Sequence, residues 1–163
     1  MAYVLDADVF IRAKNDYYSF ELAPAFWEWL DRANASDTVR SVQRVREELL
    51  AGDDELADWV KGRPAFFVTP DEATLAAITR VSEWANGSDR FEQAAKATFL
   101  DSADLFLIAH ALVHSDGVVT HERSEPLRRS KIKIPEVCRE FDVEVMTPFD
   151  MLRNEGVRFV LQP

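Results

Sequence analysis

Features of secreted and membrane proteins are scarce in this chain of 163 residues. The one cysteine, Cys138, cannot form an internal disulfide, which is typical of a reducing compartment. No apolar run approaches the roughly 18 residues that a membrane-spanning helix needs. The N-terminus begins with a strand-like stretch, residues 2–5, without the basic and apolar regions of a signal peptide. These absences predict a cytoplasmic protein with no membrane partner.

Basic residues are also fewer than acidic residues. The sequence has 19 Lys and Arg residues against 29 Asp and Glu residues, which gives a formal net charge of -10. A protein that coats nucleic acid by electrostatic attraction normally presents a basic surface, so this charge argues against that class. It leaves open an enzyme that gathers carboxylates around a cation and uses a small basic patch for its substrate.

Strand-like and helix-like segments alternate along the chain, which indicates an α/β fold with a central, mainly parallel sheet of about four or five strands. The predicted strands cover residues 2–6, 38–42, 66–69, 118–120 and 143–146. The predicted helices cover residues 22–33, 43–51, 71–86 and 101–114, with others opening at Asp53, Pro135 and Thr147. No repeat or linker interrupts this order, so we predict a single domain over residues 1–163.

Carboxylates follow two of the predicted strands. Asp6 lies where the first strand ends, with Asp8 two residues later, and Glu122 follows the strand at residues 118–120. In open parallel sheets, ligands bind beyond the carboxyl ends of the strands. We therefore expect these acids at one rim of the sheet.

Two helices offer further acids. Glu48 lies late in helix 43–51, and Asp104 lies in the first turn of helix 101–114, for which Asp101 or Ser102 is a natural N-cap. Asp104 borders the apolar face of its helix, where an unpaired carboxylate is costly. A bound cation would make several close acids tolerable, and hard oxygen ligands favour magnesium or manganese over zinc.

Each acid alone has a simpler explanation. Asp6 and Asp8 suit a turn, and Asp104 suits the positive end of a helix dipole. Glu48 and Glu122 suit an exposed surface. A metal site therefore requires that all these acids lie close together in the folded chain.

Four blocks of the sequence resemble the PIN domain family. Tyr3–Ile11 resembles the family's opening strand, Leu-Asp-Thr-Asn-Val-Leu-Ile, and Glu48–Gly52 resembles its Glu-Leu-x-x-Gly helix. Asp101–Leu112 resembles the Ala-Asp-x-x-Ile-Ala-x-Ala-Leu helix, and Gly117–Glu122 resembles the Val-Thr-x-Asn strand end. The blocks occur in the family's order and cover most of the chain, so the ordered set is more specific than any one block.

The resemblance implies a three-layer α/β/α fold and a ribonuclease that depends on Mg²⁺, with Mn²⁺ as a possible substitute. Many small members are toxins of VapC-type toxin–antitoxin pairs and are often dimers, so RNA is the implied substrate, with an antitoxin and a second copy of the chain as implied partners. More narrowly, Ala25–Leu30 and Lys131–Cys138 are similar to an uncharacterised branch of PIN-like proteins found in prokaryotes.

Carried over residue by residue, the resemblance assigns Asp6, Glu48 and Asp104 as the core catalytic acids. The family's usual fourth acid lies three residues beyond the strand end, which selects Glu125, but Glu122 occupies the Asn position and is itself acidic. We prefer Glu122 and keep Glu125 as the alternative. Asp6, Asp104 and Glu122 are then expected to hold the metal, with Glu48 binding directly or through water.

Further residues are assigned to supporting roles. Asp8, which replaces a common Asn of the family, Thr120 and Asp101 are candidates to orient ligands or water. If helix 43–51 is rotated, Glu47 replaces Glu48. The departure at Asp8 predicts a more negative site than the family pattern has.

The densest basic stretch follows the proposed site directly. It contains Arg123, Arg128, Arg129, Lys131 and Lys133. These side chains suit phosphate positioning on RNA, and equally a solvated loop. Tyr17 and Tyr18, after the first strand, could stack on bases or pack beneath the following helix.

Two other functions compete with the nuclease. The order Asp6-Ala7-Asp8-Val9 also resembles the first motif of haloacid-dehalogenase-like phosphatases. Those enzymes also need a downstream Lys and an acidic pair, which the segment 118–122 does not supply in matching form. A PIN-like protein can also serve as a scaffold or binding module after losing its acids, and here the acids are present.

Overall fold

Five short strands form one parallel sheet in the order β3-β2-β1-β4-β5. The computed structural model describes all of residues 1–163. The strands are β1 Tyr3–Leu5, β2 Val39–Val42, β3 Phe67–Val68, β4 Gly117–Val119 and β5 Val145–Met146. The chain builds one half of the sheet outward from β1 and then crosses to β4 on the other side. The predicted α/β class with a parallel sheet of about five strands is confirmed.

Helices flank the sheet and account for most of the remaining chain. They are α1 Ala7–Arg12, α2 Pro24–Ala35, α3 Gln43–Ala51, α4 Glu55–Lys61, α5 Glu72–Gly87, α6 Gln93–Leu100, α7 Ala103–His114, α8 Ile134–Glu140 and α9 Pro148–Asn154. A π-helical turn, Ala13–Tyr17, continues α1, and a 3-10 turn, Pro64–Phe66, precedes β3. The basic stretch between β4 and α8 lies outside regular helices and strands, as predicted.

Four elements were not predicted from the sequence: α1, the π-helical turn, the 3-10 turn and α6. Helix α1 is only six residues long and contains Val9 and Ile11, whose branched side chains disfavour helices. It forms because the Asp6 side chain accepts a hydrogen bond from the Ala7 N–H and because Val9 and Phe10 are buried. The π-helical turn and α6 also follow from tertiary packing. Helix α5 ends one residue beyond the predicted helix 71–86, at Gly87.

Strand β1 lies at the centre of the sheet and is buried along its whole length. It pairs with β4 so that Leu5 is opposite Val119, and the Asp6 N–H donates to the Val119 carbonyl at 2.9 Å. Because the order of strands reverses between β1 and β4, their carboxyl ends form the crevice where parallel α/β sheets bind ligands.

Helix α7 packs against β1, β2 and β4, and α5 covers its other side. Its buried face includes Leu105, Leu107 and Ile108. An aromatic cluster joins α1 to α4 and β3: the Phe10 ring centroid lies 6.0 Å from Trp59 and 5.8 Å from Phe66. Truncating such a buried aromatic residue costs about 3–5 kcal/mol, so this packing firmly holds the chain that follows Asp6.

No single helix is long and apolar enough to cross a membrane. Helices α6 and α7 meet the length and hydropathy requirement only when taken together, and they are bent by 66° at the break between them.

Candidate functional site

Asp6 lies at the carboxyl end of β1 and faces the end of β4. It is 7% exposed. Its Oδ1 accepts a hydrogen bond from the Ala7 N–H, and its Oδ2 accepts one from the Thr120 hydroxyl, both at 2.8 Å. Burial raises the pKa of Asp6 well above its ordinary value, and the charges of Asp8 and Asp104 raise it further. A buried carboxylate is therefore held in place beside other acids.

Thr120 organises the end of β4 around Asp6. Its hydroxyl donates to Asp6 and accepts a hydrogen bond of 3.0 Å from the Glu122 N–H. The His121 N–H donates to Asp8 at 3.2 Å, which ties the same turn to α1. Burial raises the pKa of Asp8, and hydrogen bonding to His121 opposes this rise. These contacts hold the ends of β1 and β4 together, and the roles of Thr120 and Asp8 in orienting metal ligands or water stay predictions.

Glu122 continues the acidic edge and is engaged by its own loop. Its Oε1 lies 2.9 Å from the Lys131 ammonium, and its Oε2 accepts a hydrogen bond of 2.9 Å from the Ile134 N–H. Its side chain is 13% exposed. The chain between Glu122 and Ile134 thus folds back so that Lys131 meets the acid that precedes it.

Asp104 joins these acids from the first turn of α7. Burial raises its pKa to about 7, and the charges of Glu122, Glu48 and Asp8 act in the same direction. Lys131 lowers the pKa of Asp104. Glu48, on α3, lies at the exposed rim, where partial burial raises its pKa and Arg44 lowers it. The structure thus brings together five acids, called here the acidic group: Asp6, Asp8, Glu48, Asp104 and Glu122.

Three other predicted acids lie outside the acidic group. The Asp101 side chain is 97% exposed, and its carboxylate is 3.9 Å from Arg44. The structure therefore shows no contact by which Asp101 would orient a metal ligand. Glu47 is exposed and lies 3.8 Å from Arg44. Glu125 pairs with Arg128 at 2.8 Å and with Lys133 at 3.1 Å, and these two side chains lower its pKa.

The acidic group fits a hard divalent cation in charge and in donor chemistry. All its donors are carboxylate oxygens, which suit magnesium and manganese. Burial raises the pKa of Asp6, Asp8 and Asp104, and the charges of neighbouring acids raise these three pKa values further. No group of three His, Cys, Asp or Glu side chains stands in a geometry that could hold an ion. Metal binding therefore requires rearrangement, foremost of Glu122, whose two oxygens are already occupied.

Some side chains of the basic stretch pair with acids of the chain, and others face solvent. Lys131 pairs with Glu122, whereas Lys133 and Arg128 pair with Glu125. Arg129 donates to the Asp89 carbonyl at 3.3 Å, and Arg123 is exposed. A cavity of about 190 Å³ opens beside Asp104, and its polar lining consists of Thr98, Ser102, Asp104, Arg128, Ser130 and Lys131. Two cationic side chains and three hydroxyl groups therefore line a cavity next to Asp104.

Glu136, on α8, anchors this loop and was not predicted from the sequence. It is buried, and its Oε1 accepts hydrogen bonds from the Ser124 hydroxyl and from the Glu125 N–H, the latter at 2.8 Å. Its other oxygen, Oε2, is buried without a partner. Nothing local in the sequence shows these partners, which only the folded loop brings to Glu136.

His110 and His114 have a metal-binding spacing but lie elsewhere. His110 is buried, and its Nε2 is 3.1 Å from Asp116, which directly precedes β4. His114 lies 3.2 Å from Asp71. Both therefore pair with acids near the amino end of β4, opposite the end that carries Thr120.

Comparisons with known proteins support the fold. The model of the family described as "Domain of unknown function (DUF4411)" matches residues 3–159. No curated protein matches the chain significantly in sequence. VapBC2 from Rickettsia felis, solved bound to a DNA fragment from the promoter, superposes with a TM-score of 0.55 and 12% identity, covering 90% of this chain and 98% of that chain. FitAB bound to an IR36 DNA fragment gives a TM-score of 0.51 and 16% identity, covering 90% and 95%.

At these identities the likeness shows the fold alone, and that fold is the PIN fold. The PIN-like fold predicted from the four sequence blocks is confirmed. The match to a family of unknown function agrees with the predicted uncharacterised branch.

Proposed function

The chain belongs to the family described as Domain of unknown function (DUF4411), and we propose that it is a Mg²⁺-dependent ribonuclease that hydrolyses RNA phosphodiester bonds at the acidic group. The observation that carries this proposal is the convergence of Asp6, Asp104 and Glu122 at the crevice between β1 and β4. Burying carboxylates that repel one another costs stability unless their charge is neutralised. Carboxylates with shifted pKa values cluster at functional sites.

Asp6, Asp104 and Glu122 would hold the ion, with Glu48 binding directly or through water. When bound, a divalent ion makes a coordinated water more acidic and offsets charge on the phosphoryl oxygens. The chain orients Asp6 through the Thr120 hydroxyl, which donates to it at 2.8 Å. Glu122 would turn from Lys131 and the Ile134 N–H to bind the ion. Mn²⁺ would satisfy the same oxygen donors.

The basic stretch supports an anionic substrate. Lys131 and Arg128 line the cavity beside Asp104, where they can contact phosphate oxygens of the strand. Arg123, Arg129 and Lys133 lie on the same loop and extend its positive charge. The choice of RNA rests on the resemblance of the four sequence blocks to PIN ribonucleases.

The proposal is tested by cleavage of a labelled RNA with purified protein in Mg²⁺ and in EDTA. We expect cleavage only with metal, and a loss of at least about 100-fold in Asp6→Asn and in Asp104→Asn, because direct ligands matter at least as much as the groups that orient them. Asp58→Asn, which changes an exposed acid on α4, is the matched control. Cleavage at wild-type rates by both site variants would reject the site.

We also propose that the enzyme is the toxin of a type II toxin–antitoxin pair and forms a homodimer. The support is the shared fold with chains of VapBC2 and FitAB, both solved on DNA. Induced expression should arrest growth, and co-expression of a small neighbouring reading frame should relieve the arrest. Light scattering should give twice the mass of one chain. Harmless expression without any neighbouring gene would remove the toxin role and leave the nuclease to be judged by cleavage.

A binding module without catalysis is the second candidate. It is favoured by the occupied oxygens of Glu122 and by the lack of a preformed metal-ligand group. Such a protein would bind RNA without cleaving it in either Mg²⁺ or Mn²⁺. Cleavage that disappears in Asp104→Asn would exclude this alternative.

A further inference from the structure

Three aromatic side chains form a cluster beside the acidic group, called here the aromatic platform: Tyr17, His121 and Phe149. The Tyr17 and His121 rings are stacked, with centroids 5.5 Å apart and planes inclined by 21°. Phe149, on α9, meets Tyr17 edge to face at 5.1 Å and meets His121 at 5.8 Å. Three separate parts of the chain therefore build one aromatic surface.

The platform borders the acids through the backbone of His121. The His121 N–H donates to Asp8 at 3.2 Å, and the next residue is Glu122. Tyr17 ends the π-helical turn that continues α1, and α1 begins directly after Asp6. Single π-helical turns are rare and occur often at functional sites. Both halves of the stack are thus attached to segments that carry acids of the site.

Tyr17 keeps much of its surface open, in contrast to its neighbour. It remains 44% exposed although it contacts two other rings. Tyr18 instead stacks on Phe26 at 4.5 Å with planes inclined by 14° and belongs to the packed interior. Of the two tyrosines considered from sequence, Tyr18 packs and Tyr17 is presented to solvent. The Arg12 guanidinium lies 5.8 Å from the Tyr17 ring centroid and adds a positive charge to this surface.

We infer that the aromatic platform binds an unpaired nucleobase of single-stranded nucleic acid adjacent to the phosphodiester that is hydrolysed at the acidic group. This inference rests on the proposed function and adds the residues that hold a base beside the cleaved bond. A base in a duplex has both faces covered by its neighbours, so only an unstacked base can lie on Tyr17. Stacking on an aromatic side chain is tolerant of sequence, because every base has a π-face. The enzyme should therefore prefer single-stranded regions over duplexes.

The test is binding of a single-stranded oligoribonucleotide that carries 2-aminopurine, measured in EDTA so that no metal-dependent cleavage occurs. Stacking quenches the fluorescence of this base, and the quench reports contact that a purely structural role would not produce. We expect quenching by the wild-type protein and by Tyr17→Phe, which keeps the ring. Tyr17→Leu should lose the quench and bind about tenfold more weakly, the size expected for one stacked base.

Further measurements separate loss of base stacking from loss of folding. Circular dichroism and thermal melting establish that Tyr17→Leu is folded, and Tyr17→Trp, with its larger ring, should restore or strengthen the quench. A duplex of the same sequence should give little quench. Equal binding and quenching by Tyr17→Leu and wild type, or equal quenching by the duplex, would overturn the inference. Because the readout needs no metal, failure of the platform is distinguishable from failure of the nuclease.

Discussion

The Lys131 ammonium lies 2.9 Å from Oε1 of Glu122, inside the group of acids that is proposed to hold a metal ion. The second oxygen of Glu122 accepts a hydrogen bond from the Ile134 N–H. Burial raises the pKa of Asp104 to about 7, Glu122 adds to this rise, and Lys131 opposes it. Lys131 therefore supplies part of the positive charge that a divalent ion would bring to the same acids.

Removing this lysine should strengthen metal binding. In Lys131→Met, Glu122 loses its ammonium partner and its Oε1 becomes available, so we expect Mn²⁺ to bind about tenfold more tightly, equivalent to about 1.4 kcal/mol. Isothermal titration calorimetry or the electron paramagnetic resonance of free Mn²⁺ measures this directly. Lys133→Met is the matched control, because Lys133 lies on the same loop but pairs with Glu125. Equal or weaker Mn²⁺ binding by Lys131→Met would show that Lys131 does not compete for the site.

Glu122 and Glu125 are distinguished by one pair of variants. Glu122 faces Asp104, whereas Glu125 is held by Arg128 and Lys133. We expect Glu122→Gln to lower RNA cleavage at least about tenfold and Glu125→Gln to stay within about twofold of wild type, by analogy with the cost of disturbing groups around a metal. Single-turnover cleavage rates decide between them. The opposite ranking would make Glu125 the fourth acid.

Thr120 is expected to act by positioning Asp6. Thr120→Val keeps the shape of the side chain but removes the hydroxyl that donates to Asp6 at 2.8 Å and accepts from the Glu122 N–H. We expect a loss of about 10–100-fold in metal affinity or cleavage, the range for groups that orient metal ligands. Thr120→Ser retains the hydroxyl and should recover most of the activity. Equal defects in the valine and serine variants would point to packing instead.

Asp104 should make the metal-free protein less stable as the pH rises. Its pKa is about 7 in the folded chain against an ordinary value of 3.8, so the folded state binds a proton that the unfolded chain releases. The stabilising contribution of this group is complete below pH 4 and is lost as the pH rises through 7. In EDTA at pH 8, Asp104→Asn should therefore melt several degrees above wild type, for a gain on the order of 1–3 kcal/mol.

Thermal melting between pH 5 and pH 8 checks this expectation. Added Mg²⁺ should raise the melting temperature of the wild type at pH 8 and have little effect on Asp104→Asn, because only a folded state with intact ligands gains from binding. A melting temperature of Asp104→Asn at or below that of wild type at pH 8 would mean that the buried charge is already neutralised in the metal-free protein.

Periodicity and local signals predicted much of the fold. Helix α3 has the predicted bounds, residues 43–51, and the strands lie within or beside the predicted segments. The acids at the ends of β1 and β4 could be placed at one rim because parallel strands share the direction of their carboxyl ends. The family blocks assigned Glu48 and Asp104, already noted on two helices, as core acids, and those helices approach that rim only in the folded chain.

What the sequence could not predict depends on contacts between distant residues. Helix α6 is only eight residues long, and it is held partly by Lys96, which is buried and donates to the Asn86 carbonyl at 3.0 Å. Lys131 was grouped with other loop cations, and nothing local shows that its long side chain turns back to Glu122. Asp101 was a candidate to orient ligands or water, but it precedes the N-cap of α7 and its side chain is 97% exposed.

The proposed metal site is tested most directly by Mn²⁺ binding to wild-type protein, Asp6→Asn, Asp104→Asn and the control Asp58→Asn under identical conditions. We expect binding by the wild type and by Asp58→Asn, and a loss of at least about tenfold in affinity in each of the other two. Undiminished Mn²⁺ binding by Asp6→Asn and Asp104→Asn, or no binding by the wild type, would contradict the proposed metal site.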